Sequence, residues 1–139
     1  MGNLPPFLVY NKLNIREMII KYPNNIQQGD DIQMMVFNNP VSGESGTTFT
    51  DFPEGWTLYF TLRSPWYSEL FSASTDSGIT HQGTGVYGCL IPSVSTVDFP
   101  EIVFGEFAVI TKEGHLMNLR QDIEIRVQKN YIANKITNG

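Results

Sequence analysis

Residues 119–128 read Leu119-Arg120-Gln121-Asp122-Ile123-Glu124-Ile125-Arg126-Val127-Gln128. Leu119, Ile123, Ile125 and Val127 fall on one side of an extended chain, and Arg120, Asp122, Glu124, Arg126 and Gln128 fall on the other. Successive side chains of a strand point to opposite faces, so this stretch predicts a strand with one face buried and the other in water. Residues 56–63 alternate in the same way. Trp56, Leu58, Phe60 and Leu62 make one face and Thr57, Tyr59, Thr61 and Arg63 the opposite one, in a composition rich in the aromatic and β-branched residues that suit a pleated surface.

Working outward, further strands are expected at residues 32–37, 69–71, 86–91 and 104–111, each bounded by Gly, Pro, Asn or Asp. Residues 16–21 make another, although Met18-Ile19-Ile20 has no clean face. Between the last two strands lies Lys112-Glu113-Gly114-His115, whose glycine supplies the positive φ of a short turn, so those strands should pair antiparallel. Residues 93–98, held between Pro92 and Pro100, are the one place for a short helical turn. About seven short strands at this spacing predict an all-β, antiparallel β-sandwich, with a barrel as the second choice.

A chain of 139 residues is one domain on length, and it is long enough to bury a core. The expected division is an extended arm over residues 1–14, the sandwich over residues 15–130 and a tail over residues 131–139. Charged residues make up only 17%, against about 25% in an average globular protein. Part of the surface is therefore expected to meet other protein. The single cysteine, Cys89, excludes an internal disulfide and any site built from several thiolates. No run approaches a membrane span, and residues 1–10 lack the basic start of a signal peptide, so the expected place of synthesis is a cytoplasm.

The net charge of −5 argues against a nucleic-acid partner, which needs clustered Lys and Arg. Its distribution is uneven: residues 22–111 hold ten acids and one base, Arg63, while both flanks are basic. That pattern fits either subunits that meet end to side, steered by opposite potentials, or a chance asymmetry on a solvated surface. The stretch Met-Gly-Asn-Leu-Pro-Pro-Phe-Leu-Val-Tyr over residues 1–10 is extended by its prolines and ends in Phe7, Leu8, Val9 and Tyr10, all apolar or aromatic. Such a segment either covers a strand edge of its own domain or packs on a neighbour. Phe7, Leu8, Val9 and Tyr10 are thus the candidate partner interface.

Chemical motifs are thin. Gly83-Thr84-Gly85-Val86-Tyr87-Gly88 matches the spacing of a dinucleotide fingerprint, but a strand is expected after it where the fingerprint needs a helix N-terminus. His81 and His115 lack the spacing of a zinc site, and Asp30, Asp31 and Asp76 lack that of a calcium loop, so neither metal nor cofactor is expected. Cys89 has no basic neighbour and reads as a buried, inert thiol. Asp51 with Glu54, or Asp98 with Glu101, have the residue types of a glycosidase pair, but closeness in sequence does not set the separation across a sugar ring. No enzymatic activity is expected. The remaining candidate is Arg63-Ser64-Pro65-Trp66-Tyr67, where Arg63, Trp66 and Tyr67 serve either as a loop closing the sandwich, as an anchor for a protein partner, or as a stacking platform for a glycan.

Gln28-Gly29-Asp30-Asp31-Ile32, followed by residues 52–55 leading into Trp56-Thr57-Leu58-Tyr59-Phe60-Thr61-Leu62-Arg63, resembles the immunoglobulin-like modules of tailed-phage virions, among them the N-terminal domain of siphophage upper baseplate proteins. Gly78-Ile79-Thr80, Gly85-Val86-Tyr87, Ser95-Thr96 and Gly105-Glu106-Phe107 follow in that family's order, and residues 119–127 take the place of its closing strand. The match spans residues 26–128. It departs at Asp122, where the family often has glycine, and at Phe107, where tyrosine is usual. The resemblance implies an immunoglobulin-like sandwich serving as a non-enzymatic structural component of a bacteriophage virion, in a tail, baseplate, neck or head-surface appendage. Its implied partners are other virion proteins and copies of itself, with no nucleic acid and no membrane. The alternative is a carbohydrate-binding module for a host surface glycan.

Overall fold

The computed structural model describes residues 18–38 and 49–132, and within them the alternating stretches are strands. In chain order these are β1 (Ile19–Lys21), β2 (Asn25–Gln27), β3 (Ile32–Phe37), β4 (Thr57–Arg63), β5 (Glu69–Ser74), β6 (Ile79–Gly83) and β7 (Val86–Ile91). The helical turn α1 (Ser93–Thr96) follows, then β8 (Ile102–Ile110) and β9 (Leu116–Gln128). One sheet has the order β1-β3-β7-β6 and the other β2-β9-β8-β4-β5. The strands pair antiparallel except for β2, which runs parallel to β9. The expected antiparallel sandwich is the observed fold.

The core lies between the sheets. Leu58, Phe60 and Leu62 of β4, Val103, Phe107 and Val109 of β8 and Ile123 and Ile125 of β9 face Ile32, Met34 and Val36 of β3 and Cys89 and Ile91 of β7, all at most 3% exposed. Phe60 stacks on Phe107 with ring centroids 4.5 Å apart. Gly105 of β8 lies between Leu62 and Ile123, and a Cβ there would lie 2.9 Å from Leu62 Cδ2 and 3.1 Å from Ile123 Cγ2. The glycine lets those two side chains close over the strand.

In β9 the alternation is interrupted and then restored. Gly105 faces Ile123, Phe107 faces Arg120 and Ala108 faces Asn118, so β9 carries two surplus residues between Asn118 and Ile123, taken up in two one-residue slips. One slip alone would turn Met117 and Leu119 out to water; the second returns them to the core. An ion pair from Arg120 Nε to Asp122 Oδ1 spans the irregular segment.

Nine strands appear among the described residues where about seven were expected. The additions, β2 and β6, are edge strands that each bury one apolar residue, Ile26 and Ile79. A single inward residue has no period to read. Other boundaries differ modestly: β5 continues three residues past the expected 69–71, and β8 starts two residues before the expected 104. Of the strand expected at residues 16–21, residues 16 and 17 lie outside the described residues, Met18 precedes the strand, and β1 covers the rest.

The sandwich has two distinct ends. At the lower end lie the β2–β3 loop, the β4–β5 turn, α1 and the start of the chain beyond β9. At the upper end lie the start of β1, Asn38, residues 49–56 and the turns β6–β7 and β8–β9. The β8–β9 turn is the expected one: Gly114 has φ +91°, its N–H donates to Thr111 O at 2.9 Å, and the His115 N–H donates to Thr111 Oγ1 at 3.0 Å.

Candidate functional site

The lower end carries the aromatic sequence Pro65-Trp66-Tyr67 on a tight turn between β4 and β5. Ser64, fully buried, organises it: the Ser64 N–H donates to Ser68 O at 2.9 Å, the Tyr67 N–H donates to Ser64 O at 3.0 Å, and the Ser68 N–H donates to Ser64 Oγ at 3.0 Å. Proline at the second turn position presets its φ, and the position after Trp66 takes a left-handed conformation that normally goes to glycine. Here it is Tyr67, at φ +67° the one non-glycine residue with positive φ among the described residues. A tyrosine in that conformation is strained, and the hydrogen bonds of the turn hold it there.

Trp66 and Tyr67 are 66% and 78% exposed, so neither ring closes the sandwich end. They diverge. The Arg63 guanidinium carbon lies 4.2 Å from the Tyr67 ring centroid and 5.0 Å from that of Phe104, and Arg63 Nη1 donates to Ser64 O at 3.1 Å. Arg63 thus fixes Tyr67 against the outer face of β8. Trp66 instead borders a groove of about 410 Å³ whose other walls are Pro65, Phe99, Pro100, Ile102 and Val127, with Glu101 and Lys129 at the rim. A second depression, of about 490 Å³, continues past Ile102 and Val127 toward Asn25 and Arg126. The sequence-predicted trio therefore splits into an Arg63–Tyr67 stack on the sheet face and Trp66 in the groove.

The groove floor is locked from below. Gln28 Nε2 donates to Phe99 O at 2.9 Å and Gln28 Oε1 accepts from the Asn130 N–H at 3.3 Å, so one buried amide joins three segments. Thr96 Oγ1, fully buried, donates to Asp30 O at 2.7 Å and accepts from the Gly29 N–H at 3.1 Å. Asp31 Oδ1 accepts from the Ser93 N–H at 2.6 Å. Asp30 and Asp31 thus work as loop and turn anchors, and Phe99 and Pro100 are presented on a fixed base. Phe99, Val127 and Gln28 escaped the sequence reading as groove residues because each looks like ordinary core or turn; the pair of prolines around α1 is the one local sign of a shaped loop.

The upper end holds a second polar cluster. His81 Nε2 lies 2.8 Å from Asp51 Oδ1, and the Gly85 N–H donates to the same oxygen at 2.5 Å. The Gly85 N–H, followed by His81, holds the Asp51 carboxyl below its usual 3.8. The arrangement ties residues 49–53 to the β6–β7 turn. The Phe52 N–H also donates to Tyr87 Oη at 3.0 Å. Thr84 and Gly85 form that turn between Gly83 at the end of β6 and Val86 at the start of β7, so no helix N-terminus stands behind the glycine motif. Cys89 is buried in β7, and burial pushes its thiol up to about 11, so it is neutral at physiological pH.

Among the described residues there is no group of three or more His, Cys, Asp or Glu side chains placed to hold a metal ion, and no helix is long and apolar enough to cross a membrane. Phe7, Leu8, Val9 and Tyr10 lie outside the described residues. No protein-family model matches the chain, and the search of curated proteins finds no significant match.

Proposed function

We propose that this chain is a non-enzymatic structural module of a bacteriophage virion, an immunoglobulin-like sandwich that joins neighbouring proteins of a tail, baseplate, neck or head-surface appendage. The observation that carries the reading is Trp66: an indole two-thirds exposed, held by a rigid turn at the mouth of an apolar groove. Tryptophan is among the residues most enriched at the energetic centres of protein–protein contacts. The order β1-β3-β7-β6 against β2-β9-β8-β4-β5 supports the immunoglobulin-like part, since it corresponds to an A-B-E-D sheet packed on a G-F-C sheet with added edge strands. Fold does not by itself assign a function, and the sequence resemblance adds the virion setting.

The test is co-fractionation. Particles banded on a density gradient from a producing culture should contain the chain in a constant ratio to their major coat protein, as read by quantitative mass spectrometry. Recovery of the chain only in the soluble fractions refutes the virion reading.

The same exposed indole favours a second reading, a module that stacks Trp66 on a host glycan. Titration of the full-length protein with an oligosaccharide panel decides this. Binding abolished by Trp66→Ala at unchanged melting temperature selects the glycan reading, and absence of binding across the panel removes it.

A further inference from the structure

The groove at the lower end and the direction in which the chain enters at the upper end together name an occupant. β1 pairs with β3 so that Ile19 faces Phe37 and Lys21 faces Met35, which means that the chain enters β1 at the upper end of the sandwich. The groove lies at the other end, where β4, β9 and β2 finish. For residues 5–10 to reach the groove of their own copy, the chain must reverse direction and run back down the whole sandwich, a distance of roughly 25 Å along β8 alone. In a second copy stacked with its lower end above the first, the same residues meet the groove without reversal.

The chemistry also matches. Pro5-Pro6-Phe7-Leu8 reads as an extended, proline-stiffened apolar segment, and such segments dock into grooves walled by aromatic and proline side chains. The groove offers Trp66, Phe99, Pro65 and Pro100. Glu101 and Lys129 line the groove, and the lower end that holds it also carries Asp30, Asp31 and Asp98 against Arg63 and Arg126, so that end is net acidic, while the segment continues into Lys12 and Arg16. Opposite potentials of this kind set register and speed encounter.

We infer that residues 5–10 of one copy occupy the Trp66 groove of the next, so that copies of this chain associate head to tail. This rests on the reading of the chain as a contact module. The contact is heterologous, because the two surfaces differ, so its products are closed rings or open filaments and not two-fold dimers.

Full-length Leu8→Cys and Lys129→Cys proteins, one isotopically labelled, are mixed and mildly oxidised; the native Cys89 is buried and gives little background. The expected result is an 8–129 disulfide joining a labelled to an unlabelled chain, absent when Leu8→Cys is mixed with Asn118→Cys on the outer sheet face. Trp66→Ala should weaken self-association in sedimentation by about tenfold or more, as loss of a central aromatic anchor does. Three results overturn the inference: a monomer at every concentration, association without the 8–129 link, or an 8–129 link formed inside single chains of the double variant at high dilution. A monomer that still bands with particles overturns this inference alone, and a head-to-tail assembly absent from particles overturns the virion reading alone.

Discussion

Replacing Tyr67 by alanine and, separately, by glycine separates the strain of the turn from the contacts of the ring. The left-handed conformation at φ +67° costs a non-glycine residue about 1–2 kcal/mol. The ring returns part of this: its stack on Arg63 is worth about 0.5–1 kcal/mol at an exposed site. Because it is 78% exposed, its burial adds only about another 1 kcal/mol. Tyr67→Ala keeps the strain and loses the ring, so it should destabilise by about 1–2 kcal/mol. Tyr67→Gly also loses the ring but relieves the strain, against a larger unfolded-state entropy of about 0.5–1 kcal/mol. Glycine should therefore be the more stable of the two by about 1 kcal/mol, or about 3–5 °C in melting temperature for a chain of this size. Urea unfolding of the three proteins, with equal m-values, measures the difference. Alanine equal to or above glycine would falsify the assignment of strain to this position.

Gly85→Ala meets both a φ of +70° and a Cβ contact of 2.5 Å with the backbone nitrogen of Thr50, so it should cost about 2–4 kcal/mol by denaturant titration. Gly83→Ala, two residues away with open space around its Cβ, should fall within about 0.5 kcal/mol of the parent. Thr96→Val keeps the shape but strands the Gly29 N–H and the Asp30 carbonyl, a loss of about 1–3 kcal/mol. Cys89 should resist a thiol reagent at neutral pH and react in full once the protein is unfolded, which a colorimetric time course reads; fast native reaction would contradict its burial. The Asp51 carboxyl is held below 3.8 in the folded protein, so its stabilisation is complete above that pH and disappears as pH falls through the lowered value. The acid limb of the stability curve should accordingly be shallower in Asp51→Asn than in the parent, and identical limbs would dismiss the Gly85 and His81 contacts as stabilising.

How much of this was legible in the sequence depended on how many inward residues each element carries. β4 and β9 bury three or more apolar side chains in alternation, and their faces read directly; the two slips of β9 between Asn118 and Ile123 did not, because together they restore the same face. β2 and β6, with one buried residue apiece, offered no period. The Lys112-Glu113-Gly114-His115 turn was legible because one glycine governs it. The aromatic turn was legible as a surface feature, since Pro-Trp-Tyr has no inward alternation, but the divergence of the two rings was not: it follows from the positive φ of Tyr67 and the position of Arg63 beside Phe104 across the sheet. The His81–Asp51 contact joins residues thirty apart in the chain, and the groove takes its walls from four separate segments. Non-local contacts of this kind leave no mark in any one stretch.

The passage of the chain from β1 to β2 through Tyr22-Pro23-Asn24 has a mechanical consequence. β2 runs parallel to β9, β1 begins at the upper end of the sandwich, and β9 finishes at the lower end. A pull applied between those two points slides β2 along β9 instead of peeling it away. The bonds that flank the pair, from the Arg126 N–H to Asn24 O and from the Gln28 N–H to Gln128 O, each 2.9 Å, then stretch together and must break together. A hairpin opened from its free end yields one bond at a time. β2 and β9 thus form a shear clamp, and a row of such copies pulled lengthwise would carry tension through every sandwich without unravelling the first.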